Sequence, residues 1–221
     1  MKYKTYIFSL LTEDRLRYVN KTTKLFPFVN IVKSVNGYDK NETINEFIDL
    51  DLKFHKLKIG PKNDFNTYGT LACWITKVKF LKFQIENNIP YALFLEDDAK
   101  LLPGFFDSLN DIMRDKWGLL DHDINIVRLF QWGEGYITSL SSAKRLLSII
   151  KDTGVVDNID NQLRERSGPE LKLSFNNFYS KWVKTNEGDI LKCDHLDDYF
   201  YNSIKKNVVT RKIINSYKKN L

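Results

Sequence analysis

Tyr91-Ala92-Leu93-Phe94-Leu95-Glu96-Asp97-Asp98 sets five apolar or aromatic residues directly against three consecutive carboxylates. The run Tyr91–Leu95 has the length and composition of a strand buried on both faces. Pro90 precedes it, and Pro103-Gly104 follows a few residues later, so the strand is predicted to end in Glu96, Asp97 and Asp98. Three acids at one strand tip repel each other, and partial burial adds a desolvation cost. A hard divalent cation relieves both, because Mg²⁺ and Mn²⁺ favour carboxylate oxygen and bridge to phosphate. Two readings fit the cluster: a solvated acidic turn, or a metal–diphosphate site at a strand's carboxyl end.

Just upstream, Tyr68-Gly69 opens a long helix whose Leu71, Trp74, Ile75, Val78, Leu81 and Ile85 fall on one side at helical spacing. Asn87-Asn88 and Pro90 end it. Further upstream, Tyr3–Leu11 reads as a first strand, and Thr12 as the N-cap of a helix over Glu13–Leu25 with acids in its first turn. Phe28–Val32 reads as a second strand, closed by the turn Asn36-Gly37. Lys40 to Asn66 reads as a long connection with a short helical piece near Glu46–Phe54. Strand, helix and strand in succession predict an α/β fold with a parallel sheet. Ligands of open α/β sheets bind outside the carboxyl ends of strands, where Glu96–Asp98 are expected.

Downstream, Pro103 suits the first turn of a helix to about Lys116. Ile124–Phe130 and Glu134–Ser139 read as strands. Ser141 or Ser142 can cap a helix carrying Ala143, Leu146, Leu147 and Ile150, stopped by Gly154. From Arg164 to Asp189 the pattern is loose. Neither a repeat nor a linker divides the chain, so residues 1–221 are read as one domain. Its first half, 1–100, ends in the acidic motif; its second, 101–221, ends in a basic helix.

The 221 residues are 43% hydrophobic and 14% aromatic, enough to bury a sizeable core and to exclude a disordered chain. Cys73 and Cys193 lack metal-ligand spacing and read as free thiols. With no secretory leader and no apolar run of membrane-spanning length, a cytoplasmic protein is expected. The net charge of +6 comes largely from scattered lysines. A basic surface for nucleic acid would be concentrated and interleaved with aromatic platforms, and that is not seen. The densest basic segment runs from Lys205-Lys206 to Lys218-Lys219, with Val208, Val209, Ile213, Ile214 and Tyr217 on one face. It reads as a docked terminal helix with a solvated basic face; peripheral membrane contact is the other reading.

Several of these pieces together resemble the family 25 glycosyltransferases, which include lipooligosaccharide and collagen galactosyltransferases. Ser9-Leu10-Leu11-Thr12-Glu13-Asp14-Arg15 stands where that family has an Asn-, Leu- and Arg-rich motif, with Ser9 replacing Asn. Val35-Asn36-Gly37 is similar to its short Gly turn. Gly69-Thr70-Leu71-Ala72-Cys73-Trp74-Ile75-Thr76-Lys77 is similar to Gly-Glu-x-Gly-Cys-x-x-Ser-His, with Gly69 and Cys73 matching and Thr70, Ala72 and Lys77 departing. Leu95-Glu96-Asp97-Asp98 matches the family's most specific feature. Gly135–Ser139 with Ala143, and Val156–Leu163 with Asp160, resemble its later segments. The resemblance covers roughly residues 3–165.

It implies a single GT-A-type nucleotide-binding domain with a mixed, mostly parallel central sheet flanked by helices. It also implies Mn²⁺ or Mg²⁺, a nucleotide-sugar donor such as a UDP-hexose, a glycan or glycoconjugate acceptor, and inversion. Metal ligation is assigned to Asp98, with Asp97 and His195 as further ligands; a surface His195 capping a helix at Asp197 is its other reading. Glu96 and Asp97 are expected at the donor's ribose or sugar hydroxyls, and Leu10, Arg15 and Lys77 at the nucleotide. A surface arginine and a solvent-facing helix lysine are equally good readings of Arg15 and Lys77. Asp160 is the preferred base for the acceptor hydroxyl and Asp157 the second choice, both also readable as loop acids or caps. Glu134, between Gly133 and Gly135, is a third. Trp74 and Trp132 offer stacking faces, although Trp74 lies on the apolar helix side. His55 and His122 are assigned nothing.

Other enzyme classes fit less well. Sugar-nucleotide nucleotidyltransferases carry a Gly-rich basic loop after the first strand, and Leu10–Arg17 contains no glycine. Glycoside hydrolases need two carboxyl groups flanking a bond, which three adjacent acids do not give. A non-catalytic basic binding protein is the alternative outside enzymes.

Overall fold

The computed structural model describes residues 2–52, 67–129, 135–155, 157–166, 168–173 and 180–182. Its strands are β1 (Lys4–Ser9), β2 (Asn30–Lys33), β3 (Tyr91–Glu96), β4 (Ala99–Leu101), β5 (Ile126–Arg128), β6 (Gly135–Ser139), β7 (Glu170–Lys172) and β8 (Ser180–Trp182). The helices are α1 (Glu13–Leu25), α2 (Lys40–Asp49), α3 (Tyr68–Glu86), α4 (Phe105–Met113), α5 (Trp117–His122), α6 (Leu140–Thr153) and α7 (Ile159–Arg166).

Six strands form one sheet in the order β2-β1-β3-β6-β5-β7, and β4 pairs with β8 in a separate ribbon. β1 lies parallel to β2 and β3, and β5 parallel to β7, while β6 runs antiparallel to both β3 and β5. The sheet is therefore mixed and mostly parallel. β3 sits at its centre, and Ala92, Leu93, Phe94 and Leu95 are all essentially inaccessible. This explains why the strand reads as an unbroken apolar run rather than an alternating one.

Alternation along β3 feeds two cores. Ala92 and Phe94 join Tyr6, Phe8 and Tyr136 against α3, α6 and α7. Leu93 and Leu95 join Ile7, Val127 and Ile137 against α1, α4 and α5. Phe94 stacks between Phe8 and Tyr136 at centroid distances of 4.7 Å each. On the opposite face Trp117 packs on Tyr3 at 5.3 Å and on Tyr91 at 5.0 Å.

Several expected elements shift, for identifiable reasons. α2 begins at Lys40, earlier than the helical piece foreseen near Glu46–Phe54, because Asp39 accepts a hydrogen bond from the Glu42 amide at 2.9 Å and caps it there. The helix foreseen from Pro103 to Lys116 starts after Gly104, whose φ of 84° is left-handed, and ends at Met113; α5 then forms separately and buries Trp117. Ser139, rather than Ser141 or Ser142, caps α6, in a reciprocal capping box with Ser142. α3 is buried on nearly every side, including Thr70, Thr76, Lys77 and Gln84, since it is wedged among the sheet, α2, α6 and α7. β4, α5, α7, β7 and β8 have no counterpart among the sequence-predicted elements.

One close approach fixes the α3 start. A Cβ on Gly37 would lie 2.4 Å from the Gly69 Cα, so the turn after β2 and the first turn of α3 touch backbone to backbone. Val35 seals the contact by donating its amide to Thr76 Oγ1 at 3.1 Å.

Candidate active site

The acids at the β3 tip do not form a single cluster. Glu96 continues the even register of Ala92 and Phe94 and faces α3. There it meets Lys77, whose Nζ lies 3.1 Å from Glu96 Oε1 and 2.5 Å from Asp160 Oδ1. Asp97, the first residue of the turn after β3, faces α1. Its Oδ1 accepts from Arg15 Nη1 at 3.0 Å, and Ser9 at the end of β1 also hydrogen-bonds to it. Burial pushes the Asp97 carboxyl up, against the opposing pull of Ser9 and Arg15. Asp98, half-buried in the turn to β4, adds negative charge beside Glu96.

Lys77 is the centre of the α3 side. Its side chain is 2% exposed, and an ammonium so enclosed must be paired. Burial opposes its charge, yet Asp160 and Glu96 outweigh burial and hold the group well above the ordinary lysine range. Its Nζ also lies 5.6 Å from the Phe94 ring centroid. Glu96 is raised to about 8: burial is the largest cause, Lys77 pulls the other way, and Asp160 and Asp98 push further up. Tyr136 is buried in the same field, and its hydroxyl is raised by burial, with Lys77 opposing and the two carboxylates adding. Two acids, Glu96 and Asp160, thus meet one ammonium, and Asp98 adds its charge beside Glu96.

Asp160 stands in the first turn of α7. Asn158 caps that helix, accepting from the Asn161 amide at 2.9 Å. Asp157 takes part in the same turn: its Oδ1 accepts from the Asn158 amide at 2.7 Å, and its carbonyl accepts from Trp74 Nε1 at 2.7 Å. Trp74 is accordingly a core residue that holds the α7 entrance, and it presents no stacking face. Asp160 has 41% of its side chain exposed.

At the β1 tip, half-buried Leu10 leads into Leu11, a non-glycine residue at φ 59°, whose amide donates to Ser9 Oγ at 3.1 Å. Thr12 precedes α1, but its hydroxyl donates to Asp14 Oδ1 at 2.6 Å and makes no cap bond. His195, Glu134, Trp132, His55, Cys193 and the basic segment 205–219 lie outside the described residues. Sequence reasoning passed over Tyr136. Its place opposite Phe94 in the antiparallel β3–β6 pair is set by the fold and was not legible in the sequence.

Among the described residues no group of three or more His, Cys, Asp or Glu side chains is placed to hold a metal by itself. The Glu96–Asp98 side nevertheless suits an ion that draws on one or two carboxylates and completes its shell with substrate phosphates and water. The crowding of acids there, with Asp160 and Asp98 both pushing Glu96 up, is the observation that favours a cation.

The fold is a mixed, mostly parallel α/β sheet flanked by helices, with these acids at the carboxyl edge of its central strand. Residues 2–134 match the family described as Glycosyltransferase family 25 (LPS biosynthesis protein), and the chain belongs to that family. Asp160 and α7 lie beyond the matched segment. Among solved structures, the chain is similar to a glycosyltransferase involved in the glycosylation of the major capsid of PBCV-1. Identity is 11%, the TM-score is 0.39, and the likeness covers 78% of this chain and 80% of that one. A search of curated protein sequences finds no match. No described helix is long and apolar enough to cross a membrane.

Proposed function

We propose that the protein transfers a hexose from a UDP-hexose to a hydroxyl of a glycan or glycoconjugate, with a divalent metal and with inversion at the anomeric carbon. The observation that carries this reading is the pairing of Glu96 and Asp160 with Lys77 at the carboxyl edge of β3, with Asp98 beside Glu96. The acceptor oxygen bonds to the anomeric carbon as the bond from that carbon to the diphosphate oxygen breaks. The electron pair leaves with UDP, and the acceptor's proton passes to Asp160. Asp98 is the proposed protein ligand of the metal, with His195 and the second oxygen of Asp97 as further donors. When bound there, Mn²⁺ or Mg²⁺ supplies Lewis-acid stabilisation of the charge on the leaving diphosphate. Glu96 is assigned to the donor's ribose or sugar hydroxyls, and Leu10 and Arg15 to the nucleotide side, where the β1 tip and the start of α1 converge.

A screen of UDP- and GDP-sugar hydrolysis with Mn²⁺ tests the reading without knowledge of the acceptor. Slow release of one free sugar, abolished by chelator, is expected. Thermal stabilisation should appear with UDP plus Mn²⁺ and not with an oligonucleotide. Stabilisation by the oligonucleotide alone would favour a basic binding protein. Pyrophosphate release from a nucleoside triphosphate and a sugar phosphate would favour a nucleotidyltransferase.

A further inference from the structure

We propose that Lys77 is a positioning residue for the transfer: it ties Asp160 to the end of β3 and does not itself contact the donor's phosphates. The inference rests on the reading of Asp160 as the base. Lys77 projects from the middle of α3, and its side chain is enclosed at 2% exposure, whereas Asp160 keeps 41%. The ammonium therefore spends its donors on protein carboxylates, and the carboxylate it holds still faces solvent. With Oδ1 fixed by Lys77, the carboxyl plane of Asp160 is set, and Oδ2 is the oxygen available to an acceptor proton.

A second contact from the same helix supports the assignment. Trp74 and Lys77 are three residues apart, so they lie on one side of α3. Trp74 holds the Asp157 carbonyl at 2.7 Å, and Lys77 holds the Asp160 carboxylate at 2.5 Å. The backbone entering α7 and the side chain in its first turn are thus clamped by one rigid element. The Asn158 cap fixes the backbone between them. Glu96, 3.1 Å from the same ammonium, references the clamp to the tip of β3. A base must be held within a fraction of an ångström of its productive position, and groups set by well-packed helices meet that need better than groups on loops.

The test compares Lys77→Met, Asp160→Asn and the double variant in transfer and in UDP–Mn²⁺ binding. Lys77→Met should lower kcat by about 10²-fold, the scale on which misplacing a reacting group acts. Its donor KM and UDP–Mn²⁺ Kd should stay within about threefold of native, as for loss of a group acting only in the transition state. The double variant should be no slower than Asp160→Asn alone, since the two act as a unit. A Kd raised about tenfold with kcat intact would make Lys77 a phosphate contact and overturn the proposal, as would additive losses in the double variant. Should Lys77→Met fail to fold, Lys77→Arg replaces it. A guanidinium can keep both carboxylates, so kcat within about tenfold of native and unchanged UDP affinity are expected; a tenfold loss of that affinity overturns the proposal. Native protein that neither binds UDP–Mn²⁺ nor transfers sugar would sink the function reading, which is a different result from any of these.

Discussion

The two faces of β3 solve the same problem differently. On the α1 face, Arg15 meets Asp97 with side-chain exposures of 14% and 9%, and Ser9 also hydrogen-bonds to that carboxylate. On the α3 face, Lys77 is as deeply enclosed, but it confronts Glu96 at 33% exposure and Asp160 at 41%, with Asp98 adding charge nearby. The first arrangement is an enclosed ion pair that ties α1 to the end of β3. The second is mismatched and open on its anionic side, the condition under which a cation, a proton or a ligand is taken up. Glu96, the last residue of β3, and Asp97, the first of the turn after it, therefore serve different ends, one facing α3 and the other α1.

Breaking the open face should show in rate, and breaking the closed face in stability as well as in nucleotide binding. Asp98→Asn should remove metal-dependent transfer with the fold intact, a loss of at least about 3 kcal/mol of transition-state stabilisation, or 10²-fold. Circular dichroism and steady-state kinetics check it, and full activity surviving excess chelator would show the metal assignment to be wrong. Asp160→Asn should lower kcat by about 10² to 10⁴, the usual worth of a positioned base, with little change in donor affinity. If Asp157→Asn gave that loss instead, the base would be misassigned.

Arg15→Ala should leave Asp97 buried without its guanidinium and cost roughly 1–3 kcal/mol, read from the urea midpoint. A midpoint unchanged from native would mean the α1 pair is no structural lock. Gly37→Ala drives a Cβ into the Gly69 backbone and should cost about 1–3 kcal/mol as an overpacked contact, measured in the same titration. Leu11→Gly is the smallest effect. Relief of a left-handed leucine should raise stability by no more than about 1 kcal/mol, since the glycine also frees the unfolded chain.

Much of this was legible from residues alone. Helix α1 has the bounds that its acids and Pro27 imply, and β3 ends within one residue of the expected tip, because an apolar run between a proline and charges has one comfortable place in a sheet. The local signals failed where tertiary contacts decide. Lys77 reads equally well as a surface lysine, and only the fold brings Asp160, 83 residues later, against it. α7 was missed because its polar face dominates a short segment; its order comes from the Asn158 cap and the Trp74 bond rather than from periodicity. The strand triplet itself misled slightly. Three adjacent acids suggest one pocket, whereas the fold divides them.

The reversed direction of β6 has a consequence for where chemistry can arise in such a sheet. Running against its neighbours, it delivers its beginning, not its end, to the rim where β1 and β3 finish, so Tyr136 arrives beside Glu96 as an opening residue of its strand. A phenol anchored in a ladder between two central strands cannot swing as a loop side chain would. It gives that rim one immovable wall, against which variable segments can be exchanged without unsettling the reacting groups.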